Sequence, residues 1–499
     1  MNNSIRNIHF KDHYLQLGND FYSFAKAEKP SDPLLFYLNH QLMNDLNLNG
    51  TVLHRHAVDY FSANKIPDGT QALALAYAGH QFGHFNPQLG DGRAFLLGQI
   101  NSINDELMDL HLKGSGPTIY SRNGDGLSAL GPVIREAILC EAMHYLGVPT
   151  TRALAAVSTG NEVFRQSILP GGIITRVARG FIRVGTFQYF ASTGNIEAIK
   201  KLADYTIKHY YPMLNGKQNP YLALLSEIIN KQAQLIAKWM QIGFIHGVMN
   251  TDNMSVTGET IDYGPCAFMD NYISDQVYSS IDHQKRYAYC YQPSIALWNL
   301  TRLAECFLPL LADDIDRSVE YAEHELAKFE PAYQAYWLDG MRNKIGIAKP
   351  NHANQDQLDR KLIQDLFKLM EDNQADFTLT FYYLTEYDHK PEHKDLFNQL
   401  FHSSHAISQW LQRWHERRQY DQQNNLEVNS LMQDVNQIYI PRNHQVEKAI
   451  RAAEDNFDFS VFEALMQVLK KPFQYQQGKD EYLRPPRSEE VVKQTFCGT

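Results

Sequence analysis

The strand-like runs of this chain gather in its first 190 residues and then give way to long helical patterns. That segregation constrains the fold more than any other feature of the sequence, because strands followed by helices point to an α+β architecture rather than to alternating βαβ units. From about 70 to 190 glycines cluster, and two runs read as short strands, Ala94-Phe95-Leu96-Leu97-Gly98-Gln99-Ile100 and Met108-Asp109-Leu110-His111-Leu112-Lys113. The second alternates apolar and polar residues at period two, which predicts a half-buried strand. The run PVIREAILCEAMHYL over 132–146 predicts one helix, with Pro132 in its first turn and Gly147 as its C-terminal cap. Residues 195–245 read as helical, and from 290 onward the chain is helical and aromatic-rich, with charged, linker-like stretches near 345–360 and 415–427 and an extended polar tail. In residues 1–65, Lys29-Pro30 and Asp32-Pro33 break any long helix.

A chain of 499 residues has room for about three domains. The texture divides it into 1–190, strand-rich with an N-terminal extension, 191–330, helical with the chemistry-bearing loop, and 331–499, a helical C-terminal region. Asp plus Glu outnumber Lys plus Arg by 56 to 46 for a formal charge of −10. This excludes a general nucleic-acid binder, since neutralising phosphates needs a clear basic excess. Five cysteines, at 140, 266, 290, 306 and 497, are too scattered for a disulfide scaffold, and none forms a C-x-x-C pair suited to zinc. The first residues carry no basic stretch leading into an apolar run, so no signal peptide is expected. No segment approaches the roughly 20 apolar residues of a membrane span. A cytoplasmic protein without a membrane partner is expected.

The segment GFIHGVMNTDNMSV over 243–256, followed by Thr260-Ile261-Asp262-Tyr263-Gly264, carries the strongest chemical signal. A helix ends at Gly243, a loop follows with His246, Asp252 and Asn253, and a small hairpin (254–256, turn 257–259) brings Asn253 close to Asp262. An amide oxygen and a carboxylate are hard donors suited to Mg²⁺ rather than zinc. The same two residues read equally as an Asx-turn and a strand-end cap. Taken whole, the segment is similar to the catalytic loop and metal-binding Asp-Phe-Gly of protein kinases. Asn253 stands five residues after Val248, and Asp262-Tyr263-Gly264 takes the place of Asp-Phe-Gly. The departure is Val248, which fills the position of the catalytic base and cannot accept a proton. The adjacent Asp252 is the substitute the sequence offers.

Upstream, Lys113 ends a strand and precedes Gly-Ser-Gly, where backbone can approach a ligand closely. A strand-end lysine is ordinarily a solvated surface residue. Glu136, however, shares a stripe with Val133, Cys140 and Met143 on the following helix, and a carboxylate on an apolar stripe needs a cation. Gly90-Asp91-Gly92-Arg93 stands where a glycine-rich phosphate-covering loop would be. G-x-G and the Asp125-Gly126 turn are, by themselves, what ordinary turns produce. If Arg179-Gly180 form a hairpin turn, Arg176 and Arg183 face each other, which is destabilising unless an anion lies between them. The alternative is a helix starting near residue 181, in which case that pairing fails.

The blocks YAGHQFGHFNPQLGDGRAFLLG, LHLKGSGPTIYSRNGDGLSALGPVIREAILCEAM, ITRVARGFIRVGTFQYF and GFIHGVMNTDNMSVTGETIDYGPCAFMD resemble the selenoprotein O family of protein adenylyltransferases. The resemblance implies a protein-kinase-like two-lobe fold with mostly helical N- and C-terminal elaborations. It also implies an ATP bound in inverted orientation, so that AMP, or UMP from UTP, passes to Ser, Thr or Tyr hydroxyls of protein substrates. On the family pattern Asp252 is the proton acceptor and Asn253 and Asp262 hold Mg²⁺ or Mn²⁺. Gly90, Gly92, Arg93, Lys113, Asp125, Gly126, Arg176, Arg183 and Asp262 contact the nucleotide. Lys113, Arg176 and Arg183 are suited to gripping departing pyrophosphate. Cys497 occupies the near-terminal position that carries selenocysteine in some members; the upstream cysteines read as small buried hydrophobes. Two other readings stay open at this level, a small-molecule phosphotransferase and an inactive nucleotide-binding scaffold.

Overall fold

A computed structural model describes residues 8, 10–349, 353–402, 404–420 and 425–495. Its main sheet is antiparallel throughout and has seven strands in the order β1-β3-β6-β7-β9-β8-β2. These strands are β1 (Tyr22–Phe24), β2 (Leu34–Leu38), β3 (Leu73–Leu75), β6 (Ala94–Asn101), β7 (Leu107–Lys113), β8 (Arg152–Phe164) and β9 (Ile168–Ala178). A separate hairpin, β4 (Gly79–Gln81) with β5 (His84–Asn86), stands between β3 and β6 in the chain. After residue 184 the chain is mainly helical, apart from the irregular stretch 243–291. Both faces of the main sheet are covered. One joins a core that runs through the helical region, and the other packs around Leu53, Phe61, Leu110 and Leu112 under short helices of residues 40–61.

That double coverage changes the reading of β7. The strand is buried on both faces from Asp109 to Leu112, not half-exposed. Its polar residues are tolerated because each has a partner. Gln99 Nε2 donates to Asp109 at 2.6 Å, and His111 lies 3.0 Å from Asp91. The Leu130–Tyr145 helix begins two residues ahead of the expected start, with Pro132 still in its first turn. Gly147 (φ 73°) closes it, its N–H donating to His144 O and that of Val148 to Met143 O.

Three readings are corrected or decided. Of the two left open at Arg179-Gly180, the hairpin does not form and a helix follows instead. β9 stops at Ala178, and a helix begins at Val184 with Arg183 at its N-cap. Gly180 passes so close to the Tyr210 ring that a Cβ would overlap it. Residues 182–184 then pair with 254–256 instead, Val184 N–H donating to Met254 O and Val256 N–H to Ile182 O. Second, the hairpin expected at 254–262 shrinks to a single bridge between Met254 and Thr260. Third, the charged stretches near 345–360 and 415–427 are largely helix, Ala353–Asp372, Ser404–Tyr420 and Asn425–Val435. Their charges are satisfied by neighbouring elements, as in Arg417–Asp359 at 2.6 Å between two helices and Arg418–Asp388 at 2.6 Å, where Asp388 lies in a turn. Residues 350–352 and 421–424 lie outside the described residues, as does Cys497. Of the other cysteines, Cys140, Cys266 and Cys306 are buried and Cys290 is exposed, contrary to the uniform expectation. Among the described residues no helix is long and apolar enough to cross a membrane.

Candidate active site

The loop with the strongest chemical signal is held shut at its base. The Pro220–Ile242 helix stops at Gly243, and Phe244–Ile245 (β10) pairs at once with Ala267–Phe268 (β11). Residues 246–266 therefore leave and return at one point. Inside, His246 Nε2 donates to Ile261 O at 3.0 Å and its ring stacks on Trp239, which braces the two arms of the loop. Asn253 Nδ2 donates to Val248 O at 3.0 Å, leaving its amide oxygen for another partner.

Asp252 sits in the 3₁₀ turn Thr251–Asn253 and is 7% exposed. Gln81 Nε2 donates to its Oδ2 at 3.1 Å, whereas Oδ1 is buried and, among the described residues, has no hydrogen-bond partner. Burial pushes its carboxyl up to about 6, against the pull of Gln81 and Arg183. The β4–β5 hairpin presses on this group. Gly79 lies so near that a Cβ would come within 2.5 Å of Asp252 Oδ1. The hairpin is tied down by His80 N–H donating to Thr251 Oγ1 at 2.7 Å and Phe82 N–H to Asn250 Oδ1 at 3.2 Å. An unpartnered, high-pKa carboxylate oxygen in a cleft is equipped to take up a proton.

Asp262 has the opposite environment. It adopts a left-handed conformation (φ 57°) that turns its carboxylate into a cluster of cations. Arg176 Nη1 reaches Oδ1 at 2.6 Å, Arg183 Nη1 reaches Oδ2 at 2.7 Å and Lys113 Nζ reaches Oδ1 at 3.2 Å. Burial opposes ionisation here, yet Arg183, Lys113 and Arg176 together hold the carboxyl well below the usual range. Lys113 also meets Glu136 Oε2 at 2.7 Å, and Arg176 meets Glu136 Oε1 at 3.1 Å. The helix glutamate therefore has the cationic partner that its apolar stripe demanded. Arg176 and Arg183 are not opposed across a hairpin, but they do converge, and the anion between them is Asp262. The Nε–H groups of both arginines are buried and have no partner among the described residues.

One cavity of about 620 Å³ collects these residues. Gly90, Gly92, Arg93, Lys113, Asp125, Gly126, Arg176, Arg183, Asp252, Asn253 and Asp262 all line it, together with Val248. Its size falls within the range of nucleotide-sized ligand pockets. Asp125 is tied to Arg165 by two bonds of 2.7 and 3.1 Å, and this pairing lowers its pKa. Among the described residues there is no cluster of three or more His, Cys, Asp or Glu able to hold a metal. The hard-oxygen pair of Asn253 and Asp262 fits a Mg²⁺-type ion that completes its shell with water and phosphate oxygens.

Sequence reasoning passed over Gln81, Asp91, His111 and Asn250. Gln81 and Asn250 act through contacts between the β4–β5 hairpin and a loop some 170 positions later, and no periodicity announces such a contact. Asp91 and His111 carried little signal, because Asp91 stood in a glycine-rich loop and His111 on the polar face of a strand expected to be half-buried.

The family described as protein adenylyltransferase SelO matches residues 4–470. A protein nucleotidyltransferase YdiU of Rhizobium meliloti (strain 1021) is 49% identical over 490 residues, covering 98% of this chain and 99% of that protein. The YdiU protein of Rhizobium leguminosarum bv. trifolii (strain WSM2304) is 48% identical over 490 residues, 98% of this chain and 97% of its own length. That of Bradyrhizobium sp. (strain ORS 278) is 48% identical over 495 residues, 98% and 99%.

Proposed function

The chain belongs to the SelO family of protein adenylyltransferases and is itself a nucleotidyltransferase, and we propose that it transfers AMP from ATP, with UTP as an alternative donor of UMP, to Ser, Thr or Tyr hydroxyls of other proteins. The observation that carries this reading is the division of labour within one cavity. Three cations converge on one side chain, whereas Asp252 accepts from Gln81 at one carboxylate oxygen and, among the described residues, its other oxygen has no hydrogen-bond partner. The fold reads as kinase-like, with a sheet-bearing lobe at 1–190, a helical lobe at 191–330 that carries the loop, and a helical C-terminal region at 331–499. Its place of work is the cytoplasm, in keeping with the sparse, scattered cysteines.

Asp252 Oδ1 accepts the proton of the target hydroxyl as that oxygen attacks the α-phosphorus. The bond from the α-phosphorus to the bridging oxygen breaks, pyrophosphate leaves, and Asp252 later returns its proton to solvent. Lys113, Arg176 and Arg183 receive the charge that develops on the leaving group; their buried, preset positions make them more effective than water would be. Gly90, Gly92 and Arg93 bring backbone and a cation to the nucleotide from one side, and Asp125 and Gly126 bound the cavity beyond them. Asn253 and Asp262 would hold Mg²⁺ or Mn²⁺, which supplies charge neutralisation to the phosphates when bound. Val248 then leaves no gap in the chemistry, because the reacting phosphorus is displaced from its place in a kinase.

ATP labelled separately at the α- and γ-phosphates tests the reading. Label should reach protein from the α position with one pyrophosphate released per transfer. Transfer from the γ position alone, with ADP as product, would refute it.

A further inference from the structure

His111 lies on β7 with 0% exposure, between the glycine-loop residue Asp91 and Arg176. Its Nε2 is 3.0 Å from Asp91 Oδ2 and its Nδ1 is 2.9 Å from Arg176 Nη2. A guanidinium can only donate, so Nδ1 is the acceptor, and a neutral ring must carry its single proton on Nε2, where it is donated to Asp91. Burial holds the imidazole neutral by lowering its pKa. Phe181 stacks on the ring at 4.3 Å and also lies 5.0 Å from the Arg176 guanidinium.

Asp91 is fixed in turn. Leu75 N–H donates to its Oδ2 at 3.1 Å, and Arg183 Nη2 is 3.8 Å from its Oδ1. Arg176 is therefore held at both terminal nitrogens, Nη1 by Asp262 and Glu136 and Nη2 by His111, while its Nε–H stays unpartnered. When Asp262 exchanges arginine for another partner, Glu136 still holds Nη1 and His111 still holds Nη2, and the contact at the second nitrogen sets the plane of the guanidinium.

We propose that His111 is a positioning residue for nucleotidyl transfer: it holds Arg176 in the orientation that receives the β- and γ-phosphates, and through Asp91 it links that orientation to the Gly90–Gly92 loop. The proposal rests on the reading of Arg176 given above. A histidine that merely fills the core would affect every nucleotide alike. A positioning histidine affects only nucleotides that carry the outer phosphates, because AMP has nothing for Arg176 to hold.

Two isosteric variants separate the two ring nitrogens. His111→Gln places an amide near Nε2, keeping the Asp91 contact and removing the acceptor for Arg176. His111→Asn places an oxygen near Nδ1 and keeps that acceptor. In His111→Gln the KM for ATP and the inhibition constant of pyrophosphate should both rise about tenfold, the loss expected of one hydrogen bond to a charged group. Its AMP affinity should stay within about twofold of wild type. His111→Asn should restore both constants to within about threefold of wild type, a gap under 1 kcal/mol in binding. Arg176→Ala is measured alongside. If it weakens ATP and pyrophosphate while His111→Gln leaves them unchanged, the proposal is overturned. If Arg176→Ala itself has no effect, the reading beneath it falls instead. Equal losses for AMP and ATP would also overturn the proposal. Should the glutamine variant fail to fold, a tenfold loss of ATP and pyrophosphate binding in His111→Asn would do the same.

Discussion

Replacing Asp252 by asparagine should make the protein both slower and more stable. The side chain is 7% exposed, and burial lifts its carboxyl to about 6. At neutral pH it is nevertheless mostly ionised, and the fold carries the cost of that buried charge. Because the folded-state pKa lies above the ordinary value, the folded state binds the proton more tightly. Its contribution to stability is thus present below about pH 4 and is lost as pH rises through about 6. The gap corresponds to about 3 kcal/mol at pH 7.5, an upper figure that the remaining solvent contact reduces. Asp252→Asn removes that cost and keeps the bond from Gln81 by turning its amide oxygen toward it. The melting temperature at pH 7.5 should rise by a few degrees, with the difference about halved at pH 5 and vanishing below about pH 4. Loss of the proton acceptor should slow pyrophosphate release by about 10²–10⁴-fold, or about 3–5 kcal/mol of barrier. In the wild type, kcat should fall about tenfold between pH 7 and pH 5, following Asp252. Calorimetric melting and a coupled pyrophosphate assay measure both effects. An Asp252→Asn enzyme turning over at the wild-type rate would refute the assignment, and one that is slow but destabilised at pH 7.5 would refute the electrostatic account.

Asp262→Ala should abolish metal-dependent nucleotide binding in titration calorimetry. It should also destabilise the fold by about 3–5 kcal/mol, because Lys113, Arg176 and Arg183 lose a shared anion. Gly79→Ala should reduce kcat far more than nucleotide affinity, since the new methyl would displace Asp252 Oδ1; unchanged kcat would show that the carboxylate has room to move. Glu259, partly buried and raised to about 7 by loss of hydration, is another group whose raised pKa makes stability fall as pH rises through about 7. Glu259→Gln should therefore melt higher than wild type at pH 8.5, with the gap shrinking as pH falls and closing only at about pH 4, as read by circular dichroism.

What could be read from the sequence depended on how local each determinant is. The Leu130–Tyr145 helix with its Gly147 cap was legible because capping is decided within a few residues. Glu136 pointed to Lys113 because a lone carboxylate on an apolar stripe has few ways to be satisfied. Arg176 and Arg183 were picked out as a pair for the wrong reason. Their pairing supposed a two-residue turn at Arg179-Gly180, whereas residues 182–184 are taken up by 254–256, a contact about 70 positions distant that no local rule contains. The polar face of β7 shows the same limit. Alternation revealed the strand, but whether water or Gln99 and Asp91 met that face depended on neighbouring strands and loops. Gln81 was invisible, since nothing near it in the chain hints that Asp252 lies against it.

The charges around Asp262 are shared rather than paired, and this shapes how such a chain can change over generations. Asp262 serves three cations, Arg176 serves Asp262, Glu136 and His111, and Lys113 serves two carboxylates. Any single replacement leaves a buried partner uncompensated, so the effect of each substitution depends strongly on what its neighbours are. Intermediates along a path to a different set of residues would be poorly folded before they were usefully different. The cluster should therefore persist or disappear as a block. A descendant that abandoned nucleotidyl transfer would be expected to swap several of these positions together for apolar residues, rather than to lose them one by one.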